Sequence, residues 1–489
     1  TSFDARRLAV ILQTVLPIVF EELGPKRVEV EVSQTQLSSD AGLLPIRELD
    51  RRLGWTESFA AQLSDNRQWS QHALVEMVRQ RVFGILAGYE DQNDHDTLRS
   101  DPVFKVVAGR SPDDNNLASQ PTLSRFENAV TAGELLRLEA WSLEEFIRSF
   151  DQPPHSLTLD IDLFDDPTHG EQQLTFFHGH YDQYQYQVRL VTCAENDAIA
   201  FPVLLHGTAN ARLGVMPDLE RIVRRLRAVW PDVVIRWRGD CGFGAPEVYE
   251  GSESLDVEYT IGLAMNPVLK QNSEETLQLA VKQYEQTGQP QRLFTAFEYQ
   301  AGSWDQPRFV VVKCEANAQG TNRRAVVTNR RGARICPPGV YDDYADRGES
   351  ENRNKELKCE MMGERLSDHR YLANCFRIFL HTLACNLLVR LRRLVADPPP
   401  PPPVEPEMPV EARSTKQKRR RHNERRQADP LGEGHACTWR TMLIKVAATI
   451  TVSARRVRVL LSASWPYQDF YHAVSQAVLG FTPPALPTG

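Results

Sequence analysis

The sequence has few of the features that mark secreted, membrane or zinc-binding proteins. Its eight cysteines are scattered over 489 residues and include no C-x2-C pair, which fits a reducing cytosol and argues against a zinc module. No apolar run reaches the ~20 residues that span a bilayer, and the N-terminus lacks a signal-peptide pattern. The formal net charge is −7, so any contact with nucleic acid must come from local basic patches. We expect a cytoplasmic protein.

Residues 1–150 are predicted to form a helical N-terminal domain. Apolar positions recur at helical spacing in LAVILQTVLPIVFEEL (8–23) and in HALVEMVRQRVFGILAG (72–88). Between them, LSSDAGLLPIRELDRRLGW (37–55) places Ser and Asp before an apolar periodic run, as helix caps do.

From residue 156 the pattern changes to strands. SLTLDIDLF (156–164) alternates strictly, with Asp160 and Asp162 on one face. An unpaired carboxylate buried on a strand costs several kcal/mol, a cost that a bound metal would remove. Two more strands, a helix at 217–230 and a strand that ends at Asp240 follow. This order predicts an α/β domain with an RNase H-like mixed sheet flanked by helices, in which the first and fourth strands end side by side.

The window 344–358, YADRGESENRNKELK, carries a second cluster of reactive side chains. On a continuous helix, Tyr344, Arg347, Glu351 and Lys358 would lie within roughly 60° of arc. A carboxylate beside two cations and a phenol is suited to hold a divalent metal and phosphate oxygens. The alternative interpretation is a solvated helix face with chance spacing.

The spacing Y-x2-R-x3-E-x6-K in this window resembles the YREK signature of DDE transposases from bacterial insertion sequences. LDIDLFDDPTHGEQQ (159–173) and RGDCGF (238–243) resemble the motifs around the first and second aspartates of the same family. Two departures are Phe164, where family members usually carry Thr, and Cys241, where they carry Ser.

The resemblance implies that Asp162, Asp240 and Glu351 are the catalytic carboxylates and the metal ligands. They would hold two Mg²⁺ ions, for which Mn²⁺ can substitute. Spacing alone leaves open whether Asp160 or Asp162 is the first acid. We choose Asp162, because the family's acid usually stands two residues before the Thr position, and keep Asp160 as a candidate metal ligand.

The resemblance also implies contacts to DNA. Tyr344, Arg347 and Lys358 would bind the backbone at the transposon end. A β-rich insertion at about 265–340 matches the family members that form a DNA hairpin, where an aromatic side chain stacks a flipped base. Trp304 is the candidate, and a Trp packed in the core is the favoured alternative. Further candidate phosphate contacts in the N-terminal region are Arg79, Arg81, Arg99 and Arg125.

The predicted division of the chain places the catalytic domain at 151–395. Six consecutive prolines and a run of Lys and Arg mark a proline-rich and basic linker at 396–434. A small C-terminal α+β unit, used for assembly in the family, is predicted at 435–489.

The implied function is metal-dependent cut-and-paste transposition of an insertion sequence. Phosphodiester hydrolysis at the element ends would precede strand transfer, by way of a DNA hairpin. The expected partners are double-stranded DNA with terminal inverted repeats, target DNA and a second subunit in the synaptic complex, with no membrane and a location at the bacterial nucleoid. The alternatives are an RNase H-like nuclease without strand transfer and a catalytically reduced, transposase-derived DNA-binding protein.

Overall fold

The computed structural model describes residues 18–20, 28–30, 35–67, 70–179, 181–334, 336–396 and 435–483. The predicted linker, apart from residue 396, lies outside these ranges, and so does most of the first predicted helix at 8–23. Three residues of that predicted helix form a strand instead, β1 (Ile18–Phe20), which pairs with β2 (Val28–Val30). Ile, Val and Phe favour strands, and here pairing prevails over the helical spacing.

Helices dominate residues 43–148, as the apolar periodicity predicts. Two of their starts carry side-chain caps: Asp101 accepts hydrogen bonds from the N–H groups of Val103 and Phe104, and Thr131 accepts one from Glu134. The helices are α1 (Leu43–Leu53), α2 (Trp55–Ala60), α3 (Leu74–Ala87), α4 (His95–Leu98), α5 (Pro102–Ala108), α6 (Gln120–Asn128) and α7 (Ala132–Arg148).

A mixed sheet follows. Its first strands are β4 (Ser156–Pro167), β5 (Phe176–His178), β6 (Gln183–Cys193) and β7 (Ile199–Leu205), and after helix α8 (Val215–Val229) come β8 (Val234–Gly239) and β9 (Glu258–Leu263). Strand β4 is antiparallel to β6 and parallel to β8, which is parallel to β9. The second predicted strand is divided into β5 and β6, so four strands precede α8 where three were predicted. The order of strands, helix and strand is otherwise as predicted, and the sheet is consistent with an RNase H-like domain.

The range predicted as an insertion continues this sheet. Helix α9 (Pro246–Ser254) lies before it, between β8 and β9, and its own elements are α10 (Pro267–Asn272), α11 (Glu274–Thr287), β10 (Gln291–Tyr299), β11 (Arg308–Asn317) and β12 (Gly320–Thr328). Because β12 pairs with β9, the strands run in the order β10-β11-β12-β9-β8-β4-β6-β5, with β7 also paired to β6. One edge of the sheet thus reaches well beyond the strands that carry the aspartates.

The segment from residue 337 onwards packs partly against the N-terminal region. Its elements are α12 (Pro337–Ala345), α13 (Gly348–Lys355), α14 (Tyr371–Val395), α15 (Ala436–Trp439), β13 (Ala448–Ser453), β14 (Arg456–Leu461) and α16 (Gln468–Gly480). Strand β13 pairs with β3 (Gln36–Ser38), and Lys445 forms an ion pair of 2.6 Å with Asp40. The segment predicted as a C-terminal unit thus shares its sheet with residues near the start of the chain.

Most side chains of helix α14 are buried. Its buried side chains join one core with the N-terminal helices, with one face of β6 and β7, and with α16. By length and composition α14 could cross a membrane, but 83% of its apolar window is buried inside the protein. Its hydrophobicity is thereby accounted for by packing.

Candidate active site

Asp162, in the middle of β4, lies beside the end of the parallel strand β8, which Asp240 follows. Strands β4 and β8 are in register with Ile161 beside Gly239, so the two aspartates follow next on adjacent strands. A carboxylate oxygen of Asp240 also accepts a hydrogen bond of 2.8 Å from the N–H of Gly242, which fixes the turn after β8. The pairing predicted from strand order brings these two acids together.

The window 344–358 is not the single helix that the spacing suggested. Helix α12 ends just after Tyr344, Arg347 lies in the break, Glu351 is on α13, and Lys358 is on a π-helical turn. At the break the N–H of Arg347 bonds to the carbonyl of Tyr344 at 3.0 Å, a three-residue turn that interrupts the α-helical pattern. Tyr344, Arg347 and Glu351 nevertheless line one cleft with Asp240.

Arg347 lies between two of the three acids. Its guanidinium contacts a carboxylate oxygen of Asp162 at 3.0 Å and one of Glu351 at 2.9 Å. It also lies 5.9 Å from the ring centre of Tyr344. The arginine expected to bind DNA therefore compensates the charge of the acids in this structure.

Asp162 has a strongly perturbed acidity. Burial is the main reason that its pKa is raised to about 6, and the negative charges of Asp240 and Glu351 raise it further, while Arg347 and the N–H of Leu163 oppose the shift. Three carboxylates from β4, β8 and α13 thus share one electrostatic environment.

This shift predicts a pH dependence of stability in the metal-free protein. An acid with a raised pKa in the folded state stabilises the fold below its unfolded pKa of 3.8, and that contribution is lost as the pH rises to about 6. The free energy of unfolding should fall by about 3 kcal/mol in total over this pH range. We expect urea denaturation in EDTA to show Asp162→Asn gaining this much over wild type between pH 4 and 7. The control is Asp232→Asn, since Asp232 is exposed. If the difference in unfolding free energy between Asp162→Asn and wild type did not change with pH, the raised pKa of Asp162 would be contradicted.

Asp160 is not available to a metal ion. Its side chain is buried, and its two oxygens accept hydrogen bonds of 2.6 and 2.7 Å from Arg238. Arg238 is also buried and donates to the carbonyl of Asp343. The candidate ligand is therefore one half of a buried ion pair, formed because Asp160 and Arg238 are opposite each other on β4 and β8.

The donor chemistry of the site suits a divalent cation. Asp162, Asp240 and Glu351 offer carboxylate oxygens, the ligands that Mg²⁺ prefers. A cation there would offset both the burial and the repulsion from Asp240 and Glu351 that raise the pKa of Asp162. In the described ranges no three Asp, Glu, His or Cys side chains come close enough to hold one ion. The guanidinium of Arg347 occupies the space between Asp162 and Glu351.

Lys358 lies apart from the other signature residues. Its ammonium contacts Asp165 at 2.6 Å and Glu364 at 3.6 Å. Asp165 follows Asp162 on β4, so Lys358 is held beside the strand that carries the first acid. Sequence reasoning missed Asp165, although a second acid three residues after Asp162 is visible in the motif.

A glycine that sequence reasoning also missed supports the cleft. A Cβ on Gly262 of β9 would lie 2.8 Å from the hydroxyl of Tyr344 and 2.8 Å from the backbone nitrogen of Cys241. Gly262 therefore allows β9 to approach both Tyr344 and the turn that follows Asp240. No sequence signal indicates this close approach, because it depends on strand pairing.

Trp304 is packed in the core. It is 8% exposed, and its ring makes edge contacts with Tyr249 and Tyr299 at centroid distances of 5.2 and 5.3 Å. No face of the indole is open to a DNA base. The candidate wedge role is therefore wrong, and the alternative of a packed Trp is the one observed.

The four candidate arginines of the N-terminal region differ in exposure. Arg79 and Arg81 are buried in ion pairs of 2.6 Å with Glu57 and Glu127, so their predicted contact with phosphates is wrong. Arg125 is exposed and Arg99 is half-buried. For these two, contact with DNA stays a prediction.

A mixed sheet flanked by helices, with two acids in an open cleft and a third linked to them through Arg347, is consistent with a DDE domain, the class of nucleases and transposases built on an RNase H-like fold. Residues 20–399 match the family model described as "Transposase DDE domain group 1". Because the match covers most of the chain, the protein belongs to this family of DDE transposases. None of the curated proteins compared with the chain matches it.

Proposed function

We propose that the protein is the cut-and-paste transposase of a bacterial insertion sequence and a member of the YREK group. The observation that carries this proposal is that Asp240 and Glu351 line one cleft with Arg347, whose guanidinium also contacts Asp162. Its DNA partners would be the terminal inverted repeats of the element and the target site, and two subunits would act together in the synaptic complex.

In this proposal Asp162, Asp240 and Glu351 hold two Mg²⁺ ions, or Mn²⁺ in their place. When bound, the ions activate a water for attack and stabilise the leaving 3′ oxygen of the cleaved strand. The acids supply the negative charge that holds the ions, and Arg347 exchanges its carboxylate partners for phosphate oxygens of the DNA. Arg347 thus offsets part of the negative charge of Asp162 and Glu351 until metal and substrate bind.

Tyr344 and Lys358 would fix the phosphates on either side of the cleaved bond, chiefly by positioning them. The freed 3′-hydroxyl would then attack the opposite strand to form a hairpin and, after the hairpin opens, the target DNA. Since Trp304 is buried, the flipped base of a hairpin would need another partner.

The test is a cleavage assay on a supercoiled plasmid that carries the gene between its own flanking repeats. We expect nicks and double-strand breaks at the repeat ends in 5 to 10 mM Mg²⁺ or Mn²⁺, and at least a 10³-fold slower reaction in EDTA, because the acids cannot activate water alone. Cleavage at the same rate in EDTA would contradict the metal-dependent mechanism.

One observation favours a second candidate, a catalytically reduced DNA-binding protein. Arg347 forms ion pairs with two of the three acids, and Cys241 and Phe164 depart from the family motifs. Such a protein would bind the repeat ends without cutting them in either metal. A nuclease without strand transfer would instead cut the ends and leave no hairpin or joined product on a denaturing gel.

A further inference from the structure

The cleft that holds the acids extends along the added edge of the sheet. It has a volume of about 540 Å³, with Asp240, Glu351 and Arg347 at one end and Lys313 and Arg324 in its wall. Lys313 is on β11 and Arg324 on β12, both in the range predicted as an insertion. The cleft therefore joins an acidic centre to a basic wall.

The two cations are direct cross-strand neighbours. Lys313 and Arg324 are paired in register on β11 and β12, so their side chains leave the same face of the sheet. Like charges at such positions destabilise a sheet. Lys313 is partly compensated by Glu315 at 2.8 Å and by the ring of Tyr341 at 5.1 Å.

Arg324 has no such compensation. It is exposed, and within the described ranges it makes no ion pair and no side-chain hydrogen bond. The adjacent Arg323 also lines the cleft, but its guanidinium is engaged, since it donates to Glu274 at 2.9 Å and to the carbonyl of Lys270 at 2.8 Å. An unpaired guanidinium beside a second cation, in an open cleft, is suited to bind an anion.

The position of Arg324 relative to the acids can be derived from the strand register. Gly239 is level with Ile261 of β9, and Leu263 is level with Ala325 of β12. Arg324 is thus two strands away from β8 and about three residues further along the direction of β8. This offset places the Cα of Arg324 roughly 14 Å from that of Gly239. One DNA strand covers that distance in about four nucleotides at 3.4 Å of rise each.

We propose that Lys313 and Arg324 bind the backbone phosphates of the DNA strand a few nucleotides from the bond positioned at Asp162, Asp240 and Glu351. This inference rests on the proposed function, since it assumes that the acids act on DNA. The two cations are positioning residues: they bind the sugar-phosphate backbone without reading bases, and they direct the strand into the cleft.

The test measures binding of the full-length protein to a fluorescent 30-base-pair duplex and to one of its single strands, in EDTA, over a range of salt concentrations. We expect Arg324→Gln and Lys313→Gln to weaken binding about five- to tenfold at 100 mM salt. Each should also reduce the slope of log K against log salt by about 0.7 to 0.9 on the probe that occupies the cleft. Arg324→Lys should restore the slope.

The control is Arg224→Gln, which removes an exposed arginine on α8 that pairs with Glu220; this change should leave the slope at its wild-type value. A slope change on the duplex, on the single strand or on both supports the proposal and identifies the form bound. Unchanged slopes for Arg324→Gln and Lys313→Gln on both probes would overturn it, and so would an equal loss in Arg224→Gln.

Failure here is distinguishable from failure of the proposed function. If wild type cuts the plasmid in Mg²⁺ but the two variants bind and cut normally, the phosphate assignment is wrong and the transposase proposal stands. If wild type does not cut, yet the two variants show the reduced slope of log K against log salt, the cleft binds DNA in a protein without catalysis.

Discussion

Asp162→Asn should slow DNA cleavage by at least about 10³-fold, which corresponds to about 4 kcal/mol of transition-state stabilisation. The substitution keeps the size of the side chain. In the proposed mechanism it would remove one of the charges that hold the metal ions, so the reaction would lose both the ions and the water they activate. The expectation follows from geometry: Asp162 is in ion-pair contact with Arg347, and it is electrostatically coupled to Asp240 and Glu351.

Asp160→Asn is the informative comparison, because Asp160 is two residues away on the same strand. Its loss leaves the buried guanidinium of Arg238 without its carboxylate, which is expected to cost about 3–5 kcal/mol of folding stability. Single-turnover cleavage should be measured with circular dichroism and thermal unfolding for both variants. We expect Asp162→Asn to fold and not cut, and Asp160→Asn to unfold at lower temperature. Normal cutting by folded Asp162→Asn would show that it is not the first acid.

The strand pattern of the sequence was sufficient to predict how the first two acids meet. Alternation put Asp160 and Asp162 on one face of β4, and the order of elements predicted that β4 and β8 would be neighbours. Periodicity reports which face a side chain takes, and sheet topology follows from a few connection rules. The face of a strand and the order of strands can therefore be predicted without knowing any side-chain contact.

What could not be predicted depends on contacts between distant segments. Nothing in the spacing of 344–358 indicates that Arg347 would bridge Asp162 and Glu351, or that the helix would break beside it. The pairing of β3 with β13 likewise joins residues some four hundred positions apart, for which neither strand carries a signal of its own. The candidate DNA contacts Arg81 and Trp304 are excluded by their burial, which the sequence does not indicate.

Glu127→Ala should lower the free energy of unfolding by about 3–5 kcal/mol, the expected cost of leaving buried charges without a partner. Glu127 on α6 receives hydrogen bonds of 2.6 Å from Arg81 on α3 and from Arg377 on α14, and all three side chains are buried. Burial alone would raise the pKa of Glu127, but Arg377 and Arg81 lower it to about 2. This stabilisation is present above pH 4.5 and is lost as the pH falls towards 2.

Urea denaturation at pH 7 is the measurement, with Glu48→Ala as the control. Glu48 forms ion pairs with Arg51 and Arg52 at the surface of α1, where such pairs contribute little, so its loss should cost no more than about 1 kcal/mol. Equal effects of the two substitutions would contradict the assigned role of burial.

A triple replacement separates the net contribution of this network from the cost of breaking it. If Arg81, Glu127 and Arg377 are all changed to apolar residues of similar size, the charges that Glu127→Ala leaves unpaired are removed. Asp368 loses its contact of 3.6 Å with Arg377 but keeps hydrogen bonds from Asn128 and from the N–H of Arg370. Stability should therefore recover most of what Glu127→Ala loses. Recovery would mean that the ion network does little for net stability. Its effect would then be to fix the position of α6 against α14, and so to hold the N-terminal helices in a defined orientation to the catalytic sheet. A triple variant that is stable but cuts DNA poorly would identify that orientation as a requirement for activity.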